Sequence, residues 1–297
     1  MNTVLYIIGN GFDIYHGMKT SYADFCMYVE ENHSDLGLFL ENYFNFQVNN
    51  RYLWNNFESD LGTFDYKGFM DDKCDFDIMD DDFRPRDCYG LEDDVSQQIE
   101  ENVDEIKEAF SNWLQEIDYP TKGDLKLNKD AIFLSFNYTH TLYELYSIPK
   151  SQVTHIHNSL KEYGNDLIFG HNLEIVEKPE LDENGDSNRT MFTDSENASK
   201  SLLYSFKKPT EKIINENMDF FISLSNIDTI YILGHSINNI DLPYFEQIKK
   251  VVKQNANWTI SYHNDDEPER MKYALEKIGI MSNVTFIKLN DLSNNAL

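Results

Sequence analysis

The amino-acid sequence predicts an α/β fold in which a mostly parallel sheet carries helices on both faces. Short runs of β-branched and apolar residues recur along the 297-residue chain, and stretches of helical period separate them. This alternation is typical of strand–helix–strand units with parallel strands. Residues 60–94 break the alternation and are rich in acidic side chains. We therefore expect one α/β domain over residues 1–297 with a helical and acidic insertion.

Seven runs have the length and composition of strands, and six longer stretches have helical patterns. The predicted strands are Val4–Ile8, Ala131–Phe136, Val153–His157, Leu167–Phe169, Ile230–Leu233, Trp258–Tyr262 and Val284–Lys288. The predicted helices cover roughly 20–46, 95–117, 139–147, 209–225, 241–254 and 267–278. We assign residues 20–130 to the helical insertion, including the acidic loop 60–94, and residues 174–205 to a polar loop or lid.

Composition and charge narrow the classes of function. The chain has 52 acidic and 25 basic residues and a net charge of −27, which weighs against binding to nucleic acid or to an anionic membrane surface. Its three cysteines are too few and too scattered for a disulfide framework or a zinc cluster. No apolar run reaches the length of a membrane span. We expect a cytoplasmic protein whose ligand is a small molecule.

The acidic stretch 71–94 has two interpretations. Asp75, Asp77 and Asp80–Asp82 offer hard oxygen ligands for a cation. The spacing of an EF-hand is absent, and a solvated acidic insertion between helices is the alternative that we favour.

The end of the first predicted strand is the first candidate for a ligand site. Val4–Ile8 is followed at once by Gly9-Asn10-Gly11-Phe12-Asp13. Glycines can adopt positive φ and have no Cβ, so backbone N–H groups can approach a phosphate closely. Asn10 and Asp13 then lie where open α/β sheets place their ligands. The third glycine of the dinucleotide fingerprint is missing, and an ordinary strand-to-helix turn is the alternative.

Polar side chains also follow the second and third predicted strands. Asn137 can orient a ribose or a water, although Thr139 or Thr141 could instead make this segment a helix cap. His157 lies near a strand end, where acid–base groups are usually mounted. His155 points to the same face of that strand, which allows a zinc site, but a packed, hydrogen-bonded histidine is the interpretation that we favour. We expect no metal.

The segment Leu233–Asp241 is the last candidate. Gly234, Ser236 and Asp241 could approach a phosphate or ribose. Gly234-His235-Ser236 also begins a nucleophile elbow, but Asn238 stands where that pattern requires glycine. A serine hydrolase is therefore disfavoured. Elsewhere, Trp54 is predicted to be a core residue and Glu58 to be solvated or to cap a helix.

Taken together, these segments resemble the bacteriophage abortive infection AbiH family. The motifs that carry the resemblance are GNGFDIYHGMKTSYADF, WNNFE, FNYTHTLYELY, HIHN, FGHN and LGHSINNID. The family is associated with bacterial defence against phage, which implies a homo-oligomer or a partner protein of a defence system. GNGFDIYHGMKTSY and FNYTHTL also resemble, more distantly, the first glycine loop and the asparagine loop of sirtuin-like folds.

The sirtuin-like resemblance implies a Rossmann-like sheet that binds NAD, and hydrolysis of the bond between nicotinamide and ribose. The leading hypothesis assigns catalysis to Asn137, His157 and Asp13, and nucleotide binding to Gly9, Asn10, Gly11, Phe12, Gly234, Ser236 and Asp241. Asn158 replaces the glycine that normally follows the catalytic histidine, and Thr139 replaces an expected acid. The cysteine zinc module of deacetylases is absent. A non-catalytic nucleotide sensor and a metal-dependent nuclease remain the alternatives.

Overall fold

The structure is a computed structural model that describes residues 3–46, 51–74, 83–84, 88–160 and 167–294. Its centre is a six-stranded sheet in the order β3-β2-β1-β4-β5-β6, and every neighbouring pair is parallel. The strands are β1 Val4–Ile8, β2 Ile132–Ser135, β3 Val153–His155, β4 Thr229–Leu233, β5 Asn257–Tyr262 and β6 Val284–Lys288. The predicted α/β, Rossmann-like fold is confirmed.

Twelve α-helices are present in the described residues. They are α1 Asn10–Tyr15, α2 Tyr22–Asn32, α3 Ser34–Tyr43, α4 Phe57–Asp60, α5 Tyr66–Lys73, α6 Leu91–Gln115, α7 Thr141–Tyr146, α8 Thr193–Ser205, α9 Thr210–Glu216, α10 Met218–Ser223, α11 Leu242–Val251 and α12 Glu267–Lys277. Within the described ranges, none of these helices has the length and apolarity that crossing a membrane requires.

The chain forms two compact units. Unit 1 consists of Met1–Ser21, Ser111–Ile168 and Pro209–Leu297, and it contains the sheet. Unit 2 consists of Tyr22–Phe110 and Phe169–Lys208. Unit 2 therefore combines most of the predicted insertion 20–130 with the predicted lid 174–205. The single domain over residues 1–297 stays a prediction.

Alternation along the strands gives unit 1 a core on each face of the sheet. Tyr6 and Ile8 of β1 pack into one apolar cluster, while Leu5 and Ile7 pack into the other. The Tyr6 ring stacks on Phe133 of β2 and on Tyr231 of β4 with centroid distances of 5.0 and 5.1 Å. The side chains of these four β1 residues are almost fully buried. This two-sided burial explains why β1 is a continuous apolar run.

Three predicted elements differ from the structure. The described residues 167–169 form no strand, because the backbone there bonds to loop groups such as the His157 carbonyl rather than to a sheet edge. β3 ends at His155, so His157 lies in the turn that follows. The end of the predicted polar loop is helical, since α8 begins at Thr193. The cation-loop hypothesis concerned Asp75, Asp77 and Asp80–Asp82, which lie outside the described residues.

The ring of Phe57 is central to the packing of unit 2. It lies 5.4 Å from the Tyr22 ring, 6.2 Å from the Phe110 ring and 6.3 Å from the Phe169 ring, measured between centroids. Phe110 and Phe169 also contact each other, at 4.4 Å. The two segments of unit 2 begin and end at four residues, and three of these are Tyr22, Phe110 and Phe169.

The fourth of these residues, Lys208, contacts the neighbour of Phe57. Its ammonium group lies 2.5 Å from Glu58 Oε2, and its side chain is 1% exposed. The Tyr22 hydroxyl donates to the other oxygen of Glu58. The prediction that Glu58 is solvated or caps a helix is wrong, because its carboxylate pairs with the buried Lys208 ammonium and no side chain caps α4. The prediction that Trp54 is a core residue is confirmed by its full burial.

Candidate functional site

The candidate site lies at the carboxyl ends of β1 and β4. The chain order of the strands reverses there, since β2 and β3 lie on one side of β1 and β4 to β6 on the other. Open α/β sheets bind their ligands at such a switch point. Gly9 follows β1, Asn137 lies just beyond β2, and Gly234 follows β4.

The loops after β1 and β4 are in direct contact through glycine. A Cβ at Gly9 would lie 2.6 Å from the His235 Cα, and a Cβ at Gly234 would lie 2.0 Å from the Phe12 nitrogen. Gly234 has a φ of +66°, which is left-handed, whereas Gly9 has an extended φ of −121°. Gly9 is therefore needed for close packing and not for positive φ.

Backbone N–H groups of these loops bond within the protein. The Gly9 N–H donates to the Leu233 carbonyl at 3.0 Å, and the Gly11 N–H donates to the Gly234 carbonyl at 2.7 Å. The Gly234 N–H donates to Ser261 Oγ of β5 at 2.8 Å. These bonds tie β1, β4 and β5 together at the carboxyl edge. The assignment of Gly9, Gly11 and Gly234 to a phosphate stays a prediction.

Three other residues assigned to the ligand have different surroundings. The Asn10 amide donates to the Thr20 carbonyl at 2.6 Å and so holds the loop after α1. Phe12 is fully buried, and its N–H donates to the Gly9 carbonyl. Ser236 is half-buried in the loop after β4. Their part in nucleotide binding also stays a prediction.

Asp13 and Asn137 form a buried polar pair above the ends of β1 and β2. Asp13 is fully buried in α1 and accepts hydrogen bonds from the hydroxyls of Thr139 and Thr141, the latter at 2.6 Å. Desolvation raises the pKa of Asp13 from 3.8 to about 6, although hydrogen bonds from Thr139, Thr141 and Asn137 oppose the rise. The pKa of this carboxyl therefore lies well above the usual range of an aspartate.

The two threonines do not cap α7, since their hydroxyls are used by Asp13 and no side chain caps that helix. The sirtuin-like resemblance expects an acid at position 139. Here Thr139 instead contacts a carboxylate that α1 supplies. The sequence could not show this contact, because Asp13 and Thr139 are distant along the chain.

The side-chain oxygen of Asn137 is buried without a donor. Asn137 is 6% exposed, and its Nδ2 donates to the Gly9 carbonyl at 3.1 Å. No group in the described parts of the chain donates a hydrogen bond to its Oδ1. A buried acceptor left unsatisfied costs about 1–3 kcal/mol. A hydroxyl or a water that donated to this oxygen would recover that free energy.

Asp241 lies between two buried histidines. His157 Nε2 is 3.9 Å from Asp241 Oδ1, and His235 Nε2 is 3.5 Å from Asp241 Oδ2. Both imidazoles also contact the Phe136 ring edge-on, with centroid distances of 5.4 Å for His157 and 4.4 Å for His235. The predicted residues His157 and Asp241 are thus brought together. His235 is an addition, since the sequence indicated it only as part of a nucleophile elbow.

His155 and Asn158 fit local roles. His155 Nδ1 bonds to the Asn137 carbonyl at 2.9 Å and its Nε2 to the Tyr143 hydroxyl at 3.0 Å, as the hydrogen-bonded alternative predicts. Asn158 has a φ of +66°, which glycine adopts freely and asparagine tolerates better than most residues. The replacement of glycine by Asn158 therefore keeps the backbone of this turn. In the described ranges, no three His, Cys, Asp or Glu side chains are grouped as a metal ion requires.

Comparison with known protein families gave a match over most of the chain. The family model described as "Bacteriophage abortive infection AbiH" matches residues 5–262, which include all of the residues described above as the candidate site. No curated protein and no solved structure gives a significant match.

Proposed function

The chain belongs to the bacteriophage abortive infection AbiH family, and on that basis we propose that it is a phage-defence enzyme that binds NAD or a related nucleotide and hydrolyses the nicotinamide–ribose bond. The family supports the role in abortive infection.

The observation that carries the proposal is the buried, unsatisfied Oδ1 of Asn137 beside the buried carboxyl of Asp13. An acceptor in this position can receive a hydrogen bond from a ribose hydroxyl or from an attacking water. A buried carboxylate nearby favours positive charge on the sugar. Both groups lie at the edge of the sheet where nucleotides bind in this class of fold.

The reaction needs a base but no activated nucleophile on the protein. The oxygen of a water forms a bond to the ribose C1′ while the bond from C1′ to the nicotinamide nitrogen breaks. The electron pair of that bond goes to the nicotinamide ring, which leaves as a neutral molecule. One proton of the water passes to His157 and then to solvent, and the other stays on the new hydroxyl.

Asp241 and Asp13 have separate parts in this scheme. Asp241 faces His157 at 3.9 Å and stabilises the imidazolium that forms when the ring accepts a proton. Asp13 is fully buried and holds Asn137, so its negative charge acts on the oxocarbenium-like transition state from behind the amide.

Release of nicotinamide from NAD by the purified protein tests the proposal. We expect release by the natural chain and its loss in His157→Ala and Asn137→Ala. Asn217→Ala is the matched control, because the Asn217 amide likewise donates to a backbone carbonyl but lies between α9 and α10. Urea unfolding of each variant separates loss of the site from loss of the fold. Absence of release from NAD by the natural chain would contradict the enzyme assignment.

A nucleotide sensor is the second candidate. It is favoured by Thr139 and Asn158, which stand where the sirtuin-like resemblance expects an acid and a glycine. Calorimetric titration with NAD and with ADP-ribose separates the two functions. Binding of NAD without release of nicotinamide would favour the sensor, whose signal a second copy or a defence partner would receive.

A further inference from the structure

The chain contains one short motif twice, and the histidines of the two copies have different surroundings. The copies are Gly170-His171-Asn172-Leu173 in unit 2 and Gly234-His235-Ser236-Ile237 in unit 1. In each, a glycine with positive φ precedes a buried histidine. The ring Nδ1 then accepts the backbone N–H of the residue two positions later, at 3.2 Å for His171 and 2.9 Å for His235.

This bond fixes the tautomer of both rings. A ring nitrogen that accepts a hydrogen bond carries no proton, so the proton of the neutral imidazole lies on Nε2. The two copies differ in what that proton faces. His171 Nε2 donates to the Leu203 carbonyl at 2.9 Å, whereas His235 Nε2 faces a carboxylate oxygen of Asp241 at 3.5 Å.

The copy in unit 1 also contains backbone strain. Ile237 has a φ of +52° and is 2% exposed. A left-handed conformation is sterically unfavourable for a β-branched residue, and such strain persists only where the surrounding structure imposes it. The strained residue is the one whose N–H bonds to His235 Nδ1. The loop after β4 therefore holds His235 in one orientation against Asp241.

We propose that His235 is a positioning residue, which orients the Asp241 carboxylate so that its Oδ1 faces His157. This role rests on the proposed function, in which His157 accepts a proton of the attacking water. Attraction between His235 Nε2–H and Oδ2 at 3.5 Å opposes rotation of the carboxylate and keeps Oδ1 directed at His157. His235 itself contacts neither the substrate nor the water, and no bond forms or breaks on it.

Two substitutions test the roles of the two ring nitrogens of His235 separately. Asparagine places an amide oxygen near the position of Nδ1 and keeps an acceptor for the Ile237 N–H, but it loses the donor to Asp241. Glutamine places an amide N–H near the position of Nε2 and keeps that donor. We expect His235→Asn to lower kcat for nicotinamide release about tenfold or more, with KM changed less than about twofold. We expect His235→Gln to restore much of the lost kcat.

His171→Asn is the matched control. It makes the same change in the copy of the motif that faces a carbonyl, so a purely structural loss should appear in both variants. We expect His171→Asn to lower the free energy of unfolding while kcat stays as in the natural chain. An equal loss of kcat in His171→Asn and His235→Asn would overturn the proposal.

Nuclear magnetic resonance of the full chain labelled with ¹⁵N-histidine gives a readout that needs no activity. We expect the imidazole signals of His157 to shift in His235→Asn and to stay in place in His171→Asn. Absence of nicotinamide release from NAD by the natural chain would contradict the proposed function, and the His157 signals would still decide whether His235 positions Asp241. Unchanged His157 signals in a folded His235→Asn variant would refute the positioning role.

Discussion

The substitution Asp13→Asn tests the buried polar pair through the dependence of stability on pH. Asp13 is fully buried, and its pKa rises from 3.8 to about 6 in the folded protein. A carboxyl whose pKa is higher in the folded than in the unfolded state binds its proton more tightly when folded. Its contribution to stability is therefore fully present below about pH 3.8 and is lost as the pH rises through about 6.

The size of the effect follows from these two pKa values. A tenfold change in proton affinity is worth about 1.4 kcal/mol. Between pH 4 and pH 7.5, the ionisation of Asp13 should therefore destabilise the folded chain by roughly 2–3 kcal/mol. Asparagine cannot ionise, so the Asp13→Asn variant should lack this loss.

Urea unfolding at several pH values between 4 and 7.5 measures the effect. The quantity of interest is the free energy of unfolding of Asp13→Asn minus that of the natural chain at each pH. This difference should rise with pH. Burial also raises the pKa of Asp60 to about 6, but Asp60 is present in both proteins, so its contribution cancels in the subtraction. Asp228→Asn is the control of opposite sign, because the hydrogen bond from Lys253 lowers the pKa of Asp228.

A difference between Asp13→Asn and the natural chain that changes by less than about 0.5 kcal/mol over this range would mean that folding does not raise the pKa of Asp13. The side chain would then be hydrated or paired with a cation in the folded protein.

Three further substitutions have expected outcomes. Asn137→Ala should lower kcat for nicotinamide release about 100-fold or more, as loss of a preorganised polar group does, and a chain that keeps full activity would contradict the site. Gly9→Ala should lower the free energy of unfolding by about 1–3 kcal/mol, since the new Cβ meets the His235 backbone at 2.6 Å. Glu58→Ala should lower it by about 3–5 kcal/mol, because it leaves the Lys208 ammonium buried without its carboxylate, and denaturant midpoints unchanged from the natural chain would refute this.

The sequence was sufficient to predict the features that depend on short stretches of chain. β1 is predicted with the bounds that the structure gives it, because a buried parallel strand is a continuous apolar run. Asn137 and Gly234 are correctly placed at strand ends, since the polar residues there follow such runs directly. His157 was predicted to lie near a strand end and lies two residues beyond β3.

Contacts between distant segments could not be predicted in the same way. Nothing near Asp13 in sequence indicates that Thr139 and Thr141 donate to its carboxyl. The ion pair of Glu58 with Lys208 could not be predicted from the sequence either. Hydrophobic periodicity indicates which face of an element is buried, but not which residues lie opposite that face. The burial of Trp54 could therefore be predicted, whereas the partners of Asp13 and Glu58 could not.

The ion pair in unit 2 also constrains when that unit can fold during synthesis. Unit 2 is assembled from Tyr22–Phe110 and Phe169–Lys208, so its second segment leaves the ribosome only after much of unit 1 has been translated. Until Lys208 emerges, the Glu58 carboxylate lacks the ion pair with its ammonium group. Completion of the unit around Phe57 and Glu58 is therefore a late event in translation, and a nascent chain that stalls before residue 208 exposes this aromatic cluster to chaperones and proteases.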